Sequence, residues 1–533
     1  MDWQQAFQSG RKPLLARNVV STSQPLAAQA GISAIARGGN AVDAALATAI
    51  CLTVVEPTMN GIGSDAFALI WDGKKLHGLN ASGRAPAAWS PERFKGLDKM
   101  PDRGWDTVTV PGAVSAWVAL SKKFGKLPFE DLFKDAIRHA RDGFPVGPTV
   151  ARQWQTQSKD LAEMPGYKQA FMPNGRAPNA GEIWKFADQA NTLEEIAKTG
   201  GESFYRGNLA QKIAAFAKEC GAAMTQADLA AHQADWVEPL GTNFRGHTVH
   251  EIPPNGQGIT ALLALNILSH LPYDQTQPGS PERMHLEIEA MRVAFADLYA
   301  HVADPAHMRV TAAEILSDAY AAQRAKLIDP KKAGSYTAGA PKLGGTVYLC
   351  ASSADGMMIS LIQSNFKGFG SGVVVPGTGI SLQNRGSGFV LTPDHPNQVA
   401  GGKRPMHTII PAFMTRDGKA EMAFGVMGGN MQAQGHVQMV LRNVVEGHNP
   451  QACADSPRWR INDVAELTLE KHVPQAVVDG LIAMGHKPII APADSLDFGS
   501  AQLIQVLEGD THAGAVAYVA GSDPRRDGQA VGY

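Results

Sequence analysis

Apolar positions recur at helical spacing through the first half of the chain, whereas in the last third they fall into short strand-like runs divided by Gly, Pro and Asp-Gly turns. Residues 25–55 predict two helices separated by Gly38-Gly39, which reads as a helix terminus. The Ala-rich run 44–55 is too short to cross a bilayer and predicts a buried helix. Runs 66–71 and 75–79 flank Asp72-Gly73 and predict a β-hairpin. From 112 to 271 the pattern is mostly helical, with clear segments at 113–123, 132–142, 208–220 and 258–268, and a long amphipathic helix follows at 281–302. Beyond residue 340, strands are predicted at 346–351, 357–364, 388–392 and 421–425, and helices at 432–445 and 473–484. The two halves meet at 329–343, DPKKAGSYTAGAPKL, a polar stretch expected to be an exposed linker.

Composition narrows the function classes. The 533 residues carry 48 Lys and Arg against 50 Asp and Glu, for a net charge of −2, so no basic surplus exists to neutralise a nucleic-acid backbone. No membrane partner is expected either. The four cysteines, Cys51, Cys220, Cys350 and Cys453, are widely spaced and make no C-x-x-C pair, and the first twenty residues lack the apolar core of a secretion signal. A reduced, cytoplasmic protein is expected.

The most informative stretch is Gly344-Gly345-Thr346 followed by VYLCASSADGMMISLIQSNFKGFGSG. If Ala354, Asp355 and Gly356 form the hairpin loop, residues 353 and 357 pair, and the same register carried outward sets Thr346 opposite Ser364. Two hydroxyls then face each other at the open end of a hairpin. A Thr opening a strand is otherwise ordinary, because Thr favours strands.

Motifs spread over nearly the whole chain give this pair its context. GGNAVDAALAT, NGIGSDAFALIWDG, VPGAVSAWVAL, ARDGFPV, MTQADLAAH and HLEIEAMRVAFADLYAHVADP precede it, and GFGSG, GISLQN, KRP, GVMGGN and GSDPRRDGQAVGY follow it. In kind and order they resemble the gamma-glutamyltranspeptidase family of N-terminal nucleophile hydrolases. The resemblance implies a four-layer αββα sandwich of the mixed α/β class and a proenzyme that cleaves itself between Gly345 and Thr346. The products would be a 1–345 large fragment and a 346–533 small fragment, together one structural unit. They would remain a heterodimer, with a dimer of heterodimers as a further assembly.

Thr346 would then supply both the nucleophile and, through its new α-amino group, the base. An α-amine titrates at about 7.7–8.0, which suits proton abstraction near neutral pH. No metal and no organic cofactor are called for. Gly428 and Gly429 in GVMGGN match the family's oxyanion glycines, Ser364 falls where a family Thr hydrogen-bonds the nucleophile, and Thr408 takes the place of one of two pocket serines.

The substrate end departs from the family pattern. The family's R-E-x-A-P run holds the glutamyl α-carboxylate through its Arg, but this chain reads ASGRAP, with Ser82 at the Arg position and Arg84 two residues later. The family's ammonium-binding D-D-F run is here RGSGF, with Gly388 in place of the Asp and Arg385 at the second site. Phe366 replaces an Asn, His407 replaces the first pocket serine, and the segment 389–403 is too short for the family's lid. A pocket that loses a carboxylate and gains Arg385 disfavours an ammonium and favours a carboxylate. Arg84, Arg385, His407 and Thr408 are therefore the candidate substrate-binding residues.

The substrate expected is a small carboxylate-bearing amide without an α-amino group. The best guess is oxamate, hydrolysed to oxalate and ammonia, and an open site favours water over an amine acceptor. Two alternatives stand beside it: a γ-glutamyl hydrolase or transpeptidase acting on glutathione-like substrates, and a small-molecule binding protein that kept the fold and lost catalysis. A dinucleotide site at GFGSG is excluded because a strand-like run follows it, and His301, Asp304 and His307 lack a metal-binding spacing.

Overall fold

The computed structural model describes residues 10–336, 345–462, 465–507 and 516–533, so the part of the polar linker at 337–343 lies outside the described residues. Fourteen strands build two antiparallel seven-stranded sheets: β1 (Leu14–Ala16), β2 (Val19–Thr22), β3 (Asp65–Trp71), β4 (Leu76–Asn80), β5 (Asp235–Val237), β6 (Leu240–Phe244), β7 (His247–Glu251), β8 (Gly345–Ser352), β9 (Met358–Phe366), β10 (Ala412–Arg416), β11 (Lys419–Met427), β12 (Ser500–Val506), β13 (Tyr518–Ser522) and β14 (Gln529–Gly532). One sheet has the order β14-β2-β8-β9-β3-β4-β5, and the other β1-β13-β12-β11-β10-β7-β6. The sheets meet where β8 packs on β11 and β12.

Helices close both outer faces. Against the first sheet lie α1 (Pro25–Ala36) and α2 (Ala41–Val55), and against the second lie α3 (Gly258–Ser269) and α5 (Met431–Val440), with α4 (Pro281–His301) packed on α3. The layers therefore run α, β, β, α. Every residue of α2 is buried, as its all-round apolar sequence requires, and a capping box between Asn40 and Asp43 fixes its start. Strand β9 is buried along its whole length because helices cover one face of its sheet and the other sheet covers the opposite face. That double burial replaces the usual polar alternation with the run MISLIQSNF.

Several expectations change in the structure. Residues 388–392 form no strand: Arg385–Gly388 is a 3₁₀ turn and Val390 makes one bridge to Gln398. The helical reading of 112–271 omits β5, β6 and β7, and the edge strands β1 and β14 and the interior strand β13 are likewise unpredicted, because strands of three to five residues carry little apolar periodicity. Both sheets contain strands from either side of the Gly345–Thr346 bond, and β8 itself lies between β2 and β9.

Candidate active site

The β8–β9 hairpin turns at Ser353–Met357, closed by the Ser353 N–H on the Met357 carbonyl at 3.0 Å, and its register runs unbroken from Ser352 opposite Met358 to Val347 opposite Gln363. Beyond that a bulge sets Gly345 opposite Phe366, so Thr346 faces the widened stretch that contains Ser364. The Thr346 hydroxyl is fully buried; it donates to Ser364 Oγ at 3.2 Å and accepts from Gln432 Nε2 at 3.3 Å. Ser364 Oγ also accepts the Phe366 N–H at 2.8 Å, and Phe366 is held at φ +77°, a strained conformation for a bulky residue. Local strain is thus concentrated beside the candidate nucleophile.

Gln432 reaches Thr346 from the first turn of α5, and the link between β11 and α5 is Gly428-Gly429-Asn430. Gly428 has φ +120° and Gly429 φ +63°, conformations that L side chains resist, and a Cβ on Gly428 would stand 3.1 Å from the Gly499 backbone. Gln257 Nε2 donates to the Gly429 carbonyl at 2.9 Å and to the Thr408 carbonyl at 2.5 Å, which ties this turn to the next wall of the site.

That wall holds Arg385, only 1% exposed, whose guanidinium lies 4.6 Å from the Phe366 ring and donates through Nη1 to Thr408 Oγ1 at 2.8 Å. Its Nε and Nη2 are buried and have no hydrogen-bond partner among the described residues. Burial pulls its pKa down to about 9 while Asp65 raises it, so the group stays cationic at neutral pH. A buried donor left unsatisfied costs about 1–3 kcal/mol, more when charged, so the arrangement is one that an anion completes. Beside it opens a cavity of about 250 Å³ walled by Tyr299, Phe366, Phe389, Met406, Thr408 and Asn430, among others, and the Oδ1 of Asn430 is likewise without a partner among the described residues.

A family model described as gamma-glutamyltranspeptidase matches residues 27–533. The chain belongs to the gamma-glutamyltranspeptidase family. It is 36% identical over 525 residues to the glutathione hydrolase-like YwrD proenzyme of Bacillus subtilis, covering 97% of this chain and 98% of that protein. It is 33% identical over 526 residues to the oxamate amidohydrolase proenzyme of Klebsiella pneumoniae, covering 95% and 97%. A solved cephalosporin acylase from Bacillus halodurans superimposes with a TM-score of 0.94 at 45% identity, covering 100% of this chain and 99% of that one. The chain is accordingly a hydrolase of the N-terminal nucleophile class with its αββα sandwich, and no helix among the described residues is long and apolar enough to cross a membrane.

Within this family framework, the structure brings together Thr346, Ser364, Arg385 and Thr408, with Gly428-Gly429 joined to them through Gln432 and Gln257. Arg84 is not among them. Its side chain is 49% exposed, pairs with Asp304 at 3.2 Å and donates to the Gly402 carbonyl at 3.1 Å, so it braces the surface of the loop. His407 is buried but already committed: Nδ1 accepts the Ile409 N–H at 3.3 Å, which leaves the proton on Nε2 facing Asp65 at 3.0 Å. Burial, then Arg385 and Arg404, holds its pKa well below the ordinary value, so it stays neutral and has no donor left for a substrate.

Ser82, at the position of the family's Arg, is buried and donates to Asn80 Oδ1 at 2.7 Å. The nearby cation Arg404 is engaged by the Ser82 carbonyl at 2.9 Å and by Asp235 at 2.6 Å. The short 389–403 segment folds inward, with Phe389 and Val399 in a small core beside Trp89, while Phe389, Val390 and Asn397 wall the cavity.

Gln257, Gln432 and Asp65 were not singled out in the sequence. Asp65 opens β3 opposite Ser364, accepts the Gly112 N–H at 3.0 Å, and is pushed up to about 7 by burial, with Arg385 next in opposing that rise. The only sequence signal for it was its place inside NGIGSDAFALIWDG.

Proposed function

We propose that this family member is a self-processing amidohydrolase whose substrate is an acyl amide with a free carboxylate and no α-ammonium group. The observation that carries the reading is Arg385, a buried guanidinium whose Nε and Nη2 have no partner among the described residues and whose neighbours Thr408 and Phe366 wall a cavity. An ammonium there would meet a cation in a desolvated site, whereas a carboxylate would satisfy the open donors.

In maturation, Thr346 Oγ1 attacks the Gly345 carbonyl, the peptide nitrogen leaves as the new α-amine, and water hydrolyses the resulting ester. In turnover, that amine takes the Thr346 hydroxyl proton as the oxygen attacks the substrate amide, and then passes it to the departing nitrogen. The Gly428 and Gly429 amides would receive the oxyanion, and Ser364 and Gln432 hold the nucleophile's orientation. Water then cleaves the acyl ester and releases the acid. Processing would leave the 1–345 and 346–533 fragments as a heterodimer.

Oxamate is the smallest amide with these properties. The cavity's aromatic and aliphatic walls have room for more than its two carbons, which favours the monoamide of a longer dicarboxylic acid. The likeness to a cephalosporin acylase and to an oxamate amidohydrolase supports acyl-amide hydrolysis on this scaffold. The test compares kcat/KM of the matured enzyme for oxamate, a glutaryl anilide and a γ-glutamyl anilide, which differs from the second only by its α-ammonium. The reading expects either of the first two to exceed the third. Efficient cleavage of the γ-glutamyl anilide alone would overturn it in favour of the glutathione-type reading.

A further inference from the structure

A second buried cluster shares no residue with this site. His285 and Glu289 stand four residues apart and so on one face of α4, and His486 meets them from the turn after α6 (Gln475–Ala483). All three are buried, and one ligand atom from each lies within 4.8 Å of the others. Among the described residues no other group of three His, Cys, Asp or Glu side chains is so arranged.

The hydrogen bonds fix which nitrogens are available. His285 Nε2 lies 2.9 Å from the Asp329 carbonyl, which can only accept, so Nε2 carries the proton and Nδ1 presents a lone pair. That lone pair points at His486 Nε2, 2.7 Å away, while His486 Nδ1 is buried without a partner among the described residues. A carbonyl behind the distal nitrogen is the usual outer support of a metal-binding imidazole. Glu289 is aligned by the Gly334 N–H at 2.7 Å and the Tyr336 hydroxyl at 2.9 Å on Oε2, and by Arg292 at 3.1 Å on Oε1. His486, Gly334, Tyr336 and Arg292 border a cavity of about 610 Å³, which gives access to solvent and room for Arg292 to turn away from an incoming cation.

We propose that His285, Glu289 and His486 form a zinc-class divalent-metal site that joins the chain before Gly345 to the chain after Thr346. Two imidazoles and one carboxylate are a ligand set suited to zinc at about 2.0–2.2 Å, with the cavity side left for water as fourth ligand. With His285 Nδ1 as acceptor, His486 Nε2 donates in this contact; metal entry would open the pair modestly as that proton shifts to His486 Nδ1. His285 and Glu289 lie on one side of the cleavage point and His486 on the other, and Glu289 also grips Gly334 and Tyr336 just upstream of it. The metal would therefore staple the two fragments and anchor the end of the larger one. This stapling role rests on the self-cleavage reading; the metal site does not.

Zinc titration of the chelator-treated full-length protein by calorimetry is expected to give one site per chain. His486→Ala and His285→Ala should each weaken it by more than about 100-fold. Glu289→Gln, which keeps the side-chain shape, guards against simple misfolding, and cobalt(II) should give the visible bands of a four-coordinate site in wild type only. Zinc binding unaltered by these changes, or no binding above that of the double His variant, overturns the site. The uncleaved Thr346→Ala chain should bind zinc equally well. In the matured protein, zinc should raise the urea concentration at which the two fragments separate. Binding without that rise, or a chain that never cleaves, overturns the stapling role and leaves the metal site standing.

Discussion

Thr346 and Ser364 meet hydroxyl to hydroxyl at 3.2 Å across the bulge that opens the β8–β9 hairpin, and the same Ser364 oxygen accepts the N–H of the strained Phe366. One serine thereby couples the orientation of the candidate nucleophile to the backbone that carries the ring under Arg385. Losing that hydroxyl removes a hydrogen bond worth about 0.5–1.5 kcal/mol, so Ser364→Ala should slow both self-cleavage and kcat by about 3–10-fold, and Ser364→Thr should restore them. Electrophoretic timing of processing alongside steady-state kinetics checks both.

Thr346→Ala should abolish processing and lower kcat by at least about 10³-fold. On denaturing gels wild type should resolve into fragments of about 37 and 20 kDa, in proportion to their lengths, while the variant stays at 56.6 kDa. A variant still cut at this bond refutes the nucleophile assignment.

Arg385→Met removes a buried cation two of whose nitrogens have no partner among the described residues, so stability should hold or rise in a thermal melt. KM for a carboxylate-bearing acyl amide should rise by about 10–100-fold, the loss of one or two charged hydrogen bonds, while an uncharged acyl amide should be cleaved as before. A uniform loss across both substrates would place Arg385 outside substrate recognition.

Gly428→Ala forces a side chain into φ +120° against the Gly499 backbone. The change should cost about 1–2 kcal/mol of stability through backbone strain. If the turn also supplies the oxyanion donors, kcat should fall by a further 10²–10³-fold, on the order of what one such donor contributes. Comparing denaturant midpoints with single-turnover rates separates the two effects.

Acid stability should depend on Asp523, which lies in the terminal GSDPRRDG run. Burial alone would raise its pKa, but Arg458 at 2.6 Å and Arg525 at 3.1 Å overcome that and hold it at about 2. Because the folded value lies below the unfolded one, the stabilisation is complete above about pH 4 and is lost as pH falls through about 2, a span worth on the order of 2 kcal/mol. Asp523→Asn should lower stability at neutral pH and flatten its slope between pH 4 and 2 in urea titrations.

Local rules made some of this legible in the sequence. Asp355-Gly356 fixed the hairpin, and counting outward from it reached Ser364 opposite Thr346; the burial of α2 followed from an apolar pattern on every face. Contacts that bridge distant elements were not legible. Gln432 reaches Thr346 across 86 positions and Asp65 meets His407 across 342, and neither separation leaves a trace in periodicity. Arg84 and Arg385 showed the same limit from the other side. Residue type gave each a cation, but where it pointed depended on Asp304, a buried carboxylate that holds the half-exposed Arg84, and on Thr408, buried beside Arg385.

The pairing of Tyr533 with the turn between β1 and β2 carries a further consequence. The Tyr533 carbonyl accepts the N–H groups of Arg17 and Asn18, and the Tyr533 N–H returns to the Asn18 carbonyl, so β14 brings the last residue back to the first strands. A loop from Tyr533 to the residues just ahead of Leu14, whose side chain lies near Gly532, would close the described chain without disturbing either sheet. A circular permutant could then begin at Thr346 and finish at Gly345. Such a polypeptide would be born with the threonine amine free once its initiator methionine is removed, and it would need no self-cleavage to reach the mature arrangement.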